Sequence, residues 1–282
     1  MKLVIVAAMA LLGCGKKSTP SKPDAKAEPK VAKTQPKAHQ TEPKQPNSAV
    51  AFTNTLGMVF KHVPGTEVQF CIWETRVKDY AAYAGANAGV NDAWKSPIDF
   101  ETQTRIPQTA THPVVNVAWE DAQAFCAWLT RKEQAEGKIT VNQSYRLPTD
   151  AEWSVAVGLG RETGNTPEAK DMGIEDVYPW GKEWPPPKGA GNYNKSLNVD
   201  DYEYTSPVGS FAANKHGLYD MGGNVLEWCE DWFDPASQEF RALRGACWYD
   251  NNPDGLLSSY RGGNPPDLRS HYAGIRCVLV DE

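Results

Sequence analysis

Side chains that could bind a cation are concentrated between Gly217 and Trp232, where the sequence reads GLYDMGGNVLEWCEDW. Asp220 and Glu227 supply carboxylates, Asn224 supplies an amide oxygen, and the glycine pair at 222–223 permits a tight loop with exposed carbonyls. Calcium takes about six to eight oxygen ligands and combines carboxylates with carbonyls. The segment has neither a helical nor an alternating apolar period and therefore predicts a loop. A calcium site and a structural turn with solvated acids both account for its composition.

Charge is divided unevenly along the 282 residues, whose net charge is −6. Residues 15–48 carry eight Lys against three acids and almost no large apolar side chain, which predicts a disordered tether. Residues 49–282 then hold −12, so nucleic acid is a poor partner and cations or basic partners are favoured. The chain length leaves room for one large domain or two small ones, and ten Trp and eleven Tyr predict irregular, loop-rich architecture in residues 49–282.

The N-terminus has the pattern of a secretory signal. Residues 1–14 read MKLVIVAAMALLGC, an apolar run too short for a permanent membrane span. Its end, Leu11 to Cys14, resembles the lipobox of bacterial lipoproteins, which implies lipidation of Cys14 and anchoring in the cell envelope. Gly15 follows the cysteine instead of Asp, which implies the outer membrane, facing the periplasm. An uncleaved anchor is the alternative.

Local patterns predict a hairpin and a helix at the start of the globular part. The strands are Met58–Val63 and Val68–Trp73, separated by a Pro-Gly turn at 64–65. The helix that follows has an apolar face, with Thr75 as its N-cap and Gly85 as its end.

Three further elements follow. His112–Val117 is typical of a strand, and a helix beginning at Trp119 places Phe125 and Leu129 on one face. Thr149 and Glu152 form a capping box that begins a third helix.

Eight blocks in order resemble the sulfatase-modifying-factor family, also called the formylglycine-generating-enzyme domain. They read HPVVNVAWEDAQAFCAW, YRLPTDAEW, YPWG, GNYN, SPVGSF, GLYDMGGNVLEWCEDW, RALRGACW and SYRGGNPPDLRSHYAGIRC. The resemblance covers about Met58 to Val280. It implies an α+β, C-type-lectin-like single domain with little regular secondary structure.

The resemblance also implies two structural calcium sites. The first would use the side chains of Asn192 and Asp200 with the carbonyls of Tyr193 and Tyr202. The second would use Asp220, Glu227 and the carbonyls of Gly223 and Val225, with Asp220 where some relatives have Asn.

The family's oxidases convert a sulfatase cysteine to formylglycine with Cu(I) held by two cysteines. Here the corresponding positions are Asp250 and Gly255, and residues 249–276 contain no cysteine. Cu(I) selects soft thiolate ligands, so copper is not expected and no catalytic residue is assigned. A second enzymatic branch uses iron-binding histidines from a helical bundle, for which the five histidines here lack the helical pair spacing.

Five cysteines lie beyond Cys14. Cys126 and Cys277 match positions that are disulfide-linked in relatives, which implies a first bridge. Cys229 with Cys247 is the second expected bridge, and Cys71 would then be unpaired. The alternative for Cys229 and Cys247 is a reduced pair that holds copper in a displaced site.

The peptide cleft implied by the resemblance would be bordered by Trp248, Tyr249, Asn251, Asn252, Tyr260 and Arg261. Trp, Tyr and Arg dominate binding energy at interfaces. The alternatives are that the aromatic residues are core residues and that Arg244, Arg261 and Arg276 are buried partners of acids.

These observations favour a non-catalytic, lipid-anchored envelope protein whose cleft binds a protein or peptide. A copper-dependent oxidase with unorthodox ligands is the second hypothesis. A structural component of an envelope secretion or motility machine is the third.

Overall fold

The computed structural model describes residues 51–282. The predicted signal segment, the lipobox cysteine Cys14 and the predicted tether at 15–48 lie outside the described residues. Within 51–282, no helix has both the length and the apolar character that crossing a membrane requires.

The predicted hairpin is confirmed. Strand β1 (Phe52–Thr53) pairs with β2 (Val59–His62), and β2 pairs antiparallel with β3 (Gln69–Cys71), with Phe60 opposite Cys71. Phe60, Phe70 and Cys71 are fully buried.

The hairpin belongs to a five-stranded antiparallel sheet with the order β1-β2-β3-β9-β4. Strand β4 (Gln143–Arg146) forms one edge, and the C-terminal strand β9 (Val278–Asp281) lies between β3 and β4. Strand β4 is therefore joined to the hairpin strands only through β9.

Helices α1 (Val77–Ala86) and α2 (Trp119–Ala135) pack together through aromatic side chains, with Tyr80 stacked on Phe125 at 5.8 Å. The predicted α2 and its buried face are confirmed. The predicted N-cap of α1 is wrong, because the helix begins after Arg76 and the Asp79 carboxylate accepts the Arg76 backbone N–H. Thr75 is buried instead, with its hydroxyl 3.6 Å from the Cys277 sulfur.

Helix α3 (Asp150–Val157) has the predicted capping box. The Thr149 hydroxyl accepts the Glu152 N–H at 3.2 Å, and the Glu152 carboxylate accepts the Thr149 N–H at 2.8 Å. Gly158 ends the helix with a left-handed φ of 102°. The four-residue α4 (Pro167–Lys170) follows.

A second sheet has the order β7-β6-β5-β8. Its strands are β5 (Leu226–Trp232), β6 (Arg241–Arg244), β7 (Gly262–Asn264) and β8 (Ala273–Gly274), and only the β5–β8 pair is parallel. The prediction of a loop over 217–232 is therefore wrong for residues 226–232. Residues 226–229 are buried on both faces and residues 230–232 are half-buried, so the strand lacks the alternation of apolar and polar residues by which a strand is recognised in a sequence.

The segment His112–Val117 is buried but forms no regular strand, contrary to prediction. Val114 donates one backbone bond to Thr75, and Asn116 then adopts a left-handed φ of 57°, which interrupts any ladder. Most of the remaining described chain is irregular.

Candidate functional site

A cavity of about 210 Å³ opens beside β6 and β7. Leu226, Leu243 and the edge strand β7 form its inner side, and the segment Cys247–Asp250 closes another side. Its complete lining is Leu226, Leu243, Cys247, Tyr249, Asp250, Tyr260, Gly262, Gly263, Asn264 and Tyr272. Two of the predicted cleft residues, Tyr249 and Tyr260, line it.

A tight turn positions Asp250 at this cavity. Ala246 has a left-handed φ of 61°, the Cys247 N–H donates to the Asp250 carboxylate at 2.8 Å, and the Asp250 N–H donates to the Cys247 carbonyl at 3.1 Å. Burial raises the pKa of Asp250, although its hydrogen bonds with Cys247 oppose the shift. Asp250 therefore holds the turn closed.

Gly255 also has a structural contact in this loop. Its N–H donates to the Asn252 side-chain oxygen at 2.8 Å. Asn252 itself is exposed, and the exposed Asn251 donates to the Ser196 hydroxyl at 3.2 Å. Both asparagines therefore border the outside of the loop and do not line the cavity.

Trp248 lies behind the cavity wall as a core residue and is 5% exposed. Its indole N–H donates to the His271 carbonyl at 3.3 Å, and its ring packs against Tyr204 at 5.0 Å. The core alternative holds for Trp248, whereas Tyr249 is 38% exposed and Tyr260 is half-buried.

Arg261 is not a cleft residue, and its placement there is corrected by the structure. Its side chain is buried and pairs with Asp150 at 2.9 Å and Glu162 at 2.8 Å. Arg244 also pairs with Asp150 and lies over the Trp153 ring at 4.4 Å. Burial alone would raise the pKa of Asp150, but the two arginines lower it.

Arg276 is the third buried arginine, and it pairs with Glu227 at 2.6 Å. The Glu227 carboxylate also accepts the Trp153 indole N–H at 2.8 Å. The structure therefore shows that Arg244, Arg261 and Arg276 are buried partners of acids, which was the alternative raised from the sequence.

In the first predicted calcium set, Asp200 contacts the backbone of both tyrosines. Asp200 accepts the N–H groups of Tyr193 at 3.0 Å and Tyr202 at 2.8 Å. Asn192 is buried, and its side-chain oxygen has no hydrogen-bond partner among residues 51–282. The carbonyls of Tyr193 and Tyr202 likewise accept no bond from that part of the chain. Unpaired oxygens beside a carboxylate fit a hard cation.

The second set is also close together but is partly engaged. Gly223, with φ of 81°, and Val225 have carbonyls that accept no hydrogen bond from the described chain. Asp220 accepts the Gly209 N–H at 2.6 Å, and burial raises the pKa of Asp220 to about 6. Glu227 is already neutralised by Arg276, so Asp220 and the two carbonyls are the donors that remain.

Sequence reasoning missed Glu74, which is fully buried beside the second set. One of its carboxylate oxygens accepts an Asn224 side-chain N–H at 3.1 Å, and the other has no partner among the described residues. Burial, followed by the nearby charge of Asp220, raises the pKa of Glu74 well above its usual value. The only sequence signal was an acid directly after an apolar strand.

No group of three or more His, Cys, Asp or Glu side chains between residues 51 and 282 is arranged to hold a metal ion. Both predicted calcium sets depend on carbonyl or amide oxygens in addition to their carboxylates.

Comparison with known proteins agrees with this geometry. The profile of a family described as the sulfatase-modifying factor enzyme 1-like domain matches residues 29–280. The chain belongs to this family. The match confirms the resemblance seen in the eight sequence blocks, and it begins within the predicted tether.

Curated members of the sulfatase-modifying factor family match over part of their length. The inactive Cα-formylglycine-generating enzyme 2 of Mus musculus is 37% identical over 59% of this chain and 48% of its own. The formylglycine-generating enzyme of Thermomonospora curvata is 31% identical over 66% of this chain and 60% of its own. The chain thus spans about half to three fifths of these relatives.

A solved structure in the comparison supports the fold. PvdO from Pseudomonas aeruginosa superimposes with a TM-score of 0.57 at 20% identity, over 84% of this chain and 100% of its own. The short strands, few helices and family membership confirm the predicted α+β, C-type-lectin-like single domain.

The cysteines of this family member divide into two groups. Cys126 and Cys277 lie in one core cluster with their sulfur atoms 3.6 Å apart and unbridged. Cys229 and Cys247 lie in different clusters on opposite faces of β5 and β6, so the structure does not bring this second pair together. Because side chains alternate along a strand, Cys229 points away from the face that carries Trp228 and Cys247.

Proposed function

We propose that the chain is a non-catalytic, lipid-anchored envelope protein whose sulfatase-modifying-factor domain binds a protein or peptide partner. The observation that carries the proposal is the loop from Cys247 to Gly255. At the two positions implied for the copper cysteines, Asp250 closes the turn and the Gly255 N–H is bonded to Asn252. Neither position offers a thiolate, which is the ligand that Cu(I) selects.

The thiols of Cys71, Cys229 and Cys247 do not replace that pair. Burial raises the pKa of Cys71 to about 12 and raises the pKa values of Cys229 and Cys247 well above their usual value. A thiol with a raised pKa is mostly protonated and is a poor nucleophile and metal ligand at neutral pH. Cys229 and Cys247 also face opposite sides of their sheet, which counts against a displaced copper site.

Similarity supports the same conclusion at the level of the family. The mouse relative is named as an inactive enzyme, and the chain shares 37% of its residues over the matched region. A cavity lined by three tyrosines lies at Asp250, one of the two positions without cysteine, and this supports a binding role that does not need the copper chemistry.

We further infer that structural calcium stabilises the loops of this domain. Asn192, Asp200 and the carbonyls of Tyr193 and Tyr202 would hold one ion, because their unpaired oxygens match its preference. Asp220 with the carbonyls of Gly223 and Val225 would contribute to a second ion. Calcium would supply charge neutralisation and loop closure, and no reaction step.

The envelope location rests on residues 1–14 and the lipobox cysteine Cys14. A lipid on Cys14 would make the membrane one partner and would place the acidic domain in the periplasm, away from nucleic acid. Metabolic labelling with a fatty-acid analogue tests this location, with Cys14→Ser as the variant that should lose the label.

The test of function is mass spectrometry of a Cys-x-Pro-x-Arg peptide incubated with the full chain, Cu(I) and oxygen, beside an active formylglycine-generating enzyme. We expect no aldehyde from this chain. Formation of the aldehyde by the parent chain would refute the proposal and favour the oxidase.

A paired gain-of-function variant, Asp250→Cys with Gly255→Cys, sharpens the test. A Cβ at Gly255 meets only the flexible Asn252 side chain, at 3.3 Å, so a cysteine fits there. The double variant should gain Cu(I) binding in a competition assay with a chromophoric Cu(I) chelator. Equal Cu(I) binding by the parent chain would contradict the assignment of the two positions.

A further inference from the structure

The edge strand β7 borders the cavity and is paired on one side only. Gly262, Gly263 and Asn264 lie opposite Leu243, Ala242 and Arg241 of β6, and no other described strand pairs with β7. In an antiparallel ladder, alternate residues direct their N–H and C=O groups away from the partner strand. Such an edge can accept an added strand from another chain.

The two faces of β7 differ in what they present. A Cβ added at Gly262 would lie 3.6 Å from the Leu243 Cβ and 3.8 Å from the Tyr260 hydroxyl, so Gly262 faces the cavity. A Cβ at Gly263 would lie 3.1 Å from both Phe233 and Phe240 on the other face. The missing side chain at Gly262 therefore leaves space open on the cavity side.

Asn264 shares the cavity face with Gly262 because side chains alternate along a strand. The residue is half-buried and lines the cavity. An amide that both donates and accepts, placed beside an open edge, can pair with the backbone of an incoming chain.

The cavity walls determine which side chain would enter. The Leu226 and Leu243 side chains and the rings of Tyr260 and Tyr272 supply apolar surface, beside a similar area of polar surface to which Asp250 and Asn264 contribute. A cavity of about 150 Å³ with apolar walls is enough to hold benzene, and this cavity measures about 210 Å³. Its size suits one branched aliphatic or aromatic side chain.

Negative charge at the rim of the cavity determines which residues are favoured next to the inserted residue of the peptide. Asp250 lines the cavity, and nearby Glu101, followed by burial, raises the pKa of Tyr249 to about 12. Residues 49–282 carry −12 overall. Basic residues beside the apolar one would be favoured by this field.

We propose that the peptide partner adds as a strand to β7, inserts one apolar side chain into the cavity beside Gly262, and carries Lys or Arg next to it. This inference rests on the proposed binding function and names the site and the class of partner. Directly opposite residues on paired strands have Cβ atoms about 5 Å apart. A side chain opposite Gly262 therefore meets no Cβ and can lean into the cavity.

The experiment uses a phage library of random dodecapeptides selected on the immobilised full chain. Enriched peptides are synthesised, and their Kd values are measured against the parent chain, Gly262→Val and Gly160→Val. Gly262→Val fills the cavity without strain, because its Cβ contacts are ordinary and its φ is not left-handed. Gly160 is exposed with nothing within 4 Å of an added Cβ, which makes Gly160→Val the matched control.

We expect the enriched peptides to share one apolar residue beside a basic one. Gly262→Val should weaken their binding by tenfold or more (about 1.4 kcal/mol or more), and Gly160→Val should change it less than twofold. Both variants should melt within a few degrees of the parent, which separates a blocked site from an unfolded one.

A backbone test distinguishes strand addition from simple filling of the cavity. In each enriched peptide, single amides are N-methylated in turn. Strand addition predicts that alternate amides are sensitive, because only these face β7. Tolerance of every N-methyl group would overturn the strand-addition part of the proposal.

The remaining outcomes separate this inference from the function on which it rests. If the peptides bind Gly262→Val as tightly as the parent, the proposed site beside Gly262 is wrong, but the proposal of a peptide-binding function stands. Failure to enrich any peptide over an empty support would count against the inference and against peptide binding as the function.

Discussion

Arg261 has the side chain expected of an interface residue, but its guanidinium lies in the interior between Asp150 and Glu162. Asp150 is shared with Arg244, and the Ser154 hydroxyl accepts bonds from both arginines at 3.0 and 3.1 Å. A buried charge of this kind requires complete pairing, because an uncompensated ion in the interior is costly. Arg261 therefore positions α3 against the β6–β7 region and does not contact a ligand.

Replacement of Arg261 by Met tests this structural role. We expect Arg261→Met to lower the free energy of unfolding by about 3–5 kcal/mol at pH 7, because Glu162 and part of Asp150 lose their partner. The arginines lower the pKa of Asp150, so that stabilisation is present above its ordinary pKa of about 3.9 and is lost as pH falls through the folded value. Urea denaturation at pH 7 and at a pH well below about 3.9 should therefore show a smaller deficit in acid.

The control is Lys195→Met, which removes an exposed pair with Glu203. Exposed ion pairs contribute about 0–1 kcal/mol, so this change should be near neutral at both pH values. If Arg261→Met lowers the free energy of unfolding no more than the control does, the structural role of Arg261 is contradicted and a role in the cleft is favoured.

At the scale of elements, the features predicted correctly are those encoded locally. The turn residues of the β2–β3 hairpin, the apolar face of α2 and the capping box at Thr149 each lie within a few residues of the structure they determine. Strand β5 was missed because both of its faces are covered by residues distant in sequence. The strand predicted at 112–117 failed for a related reason, since its single backbone pairing gives no ladder.

The candidate site follows the same division. The family resemblance placed Tyr249 and Tyr260 at the cleft and Asp250 at a copper-cysteine position. Gly262 and Tyr272 were not predicted as cleft residues, and pairing of β7 and β8 with strands distant in sequence brings them to the cavity. Glu74 was missed because burial beside Asn224 depends on the packed structure and has no local pattern.

The loop from Asn192 to Tyr202 carries the clearest test of calcium. Asp200 is half-buried and accepts two backbone N–H groups, and the adjacent Asp201 is exposed. If calcium binds here, the Tm in calcium exceeds the Tm in EGTA. Asp200→Ala should reduce this difference, whereas Asp201→Ala should leave it unchanged. Melting curves of the three proteins in calcium and in EGTA provide the measurement, and an unchanged calcium shift in Asp200→Ala would remove the ion from this loop.

At the scale of the molecule, the C-terminal segment closes the fold. Strand β9 pairs with both β3 and β4, and Cys277 directly before it meets Cys126 of α2. A bond between these sulfurs would join residues about 150 positions apart. The loop-entropy estimate for such a bridge is about 3–5 kcal/mol, because it constrains the unfolded chain.

We therefore expect that the protein purified from an oxidising compartment contains the Cys126–Cys277 bridge. Cys126→Ala should then lower the unfolding free energy by about 3–5 kcal/mol more without reductant than with it. Cys71 lies in the same core cluster, and its N–H donates to the Cys277 carbonyl at 2.9 Å. Cys71→Ala is accordingly the matched control, since it removes a buried thiol of the same cluster but no bridge. Non-reducing peptide mapping gives the direct readout, and a bridge from Cys71 to either partner would contradict the expected pairing. Reductant should reduce the difference in unfolding free energy between the parent and Cys126→Ala. It should not change the difference between the parent and Cys71→Ala, because a packing defect does not depend on redox state.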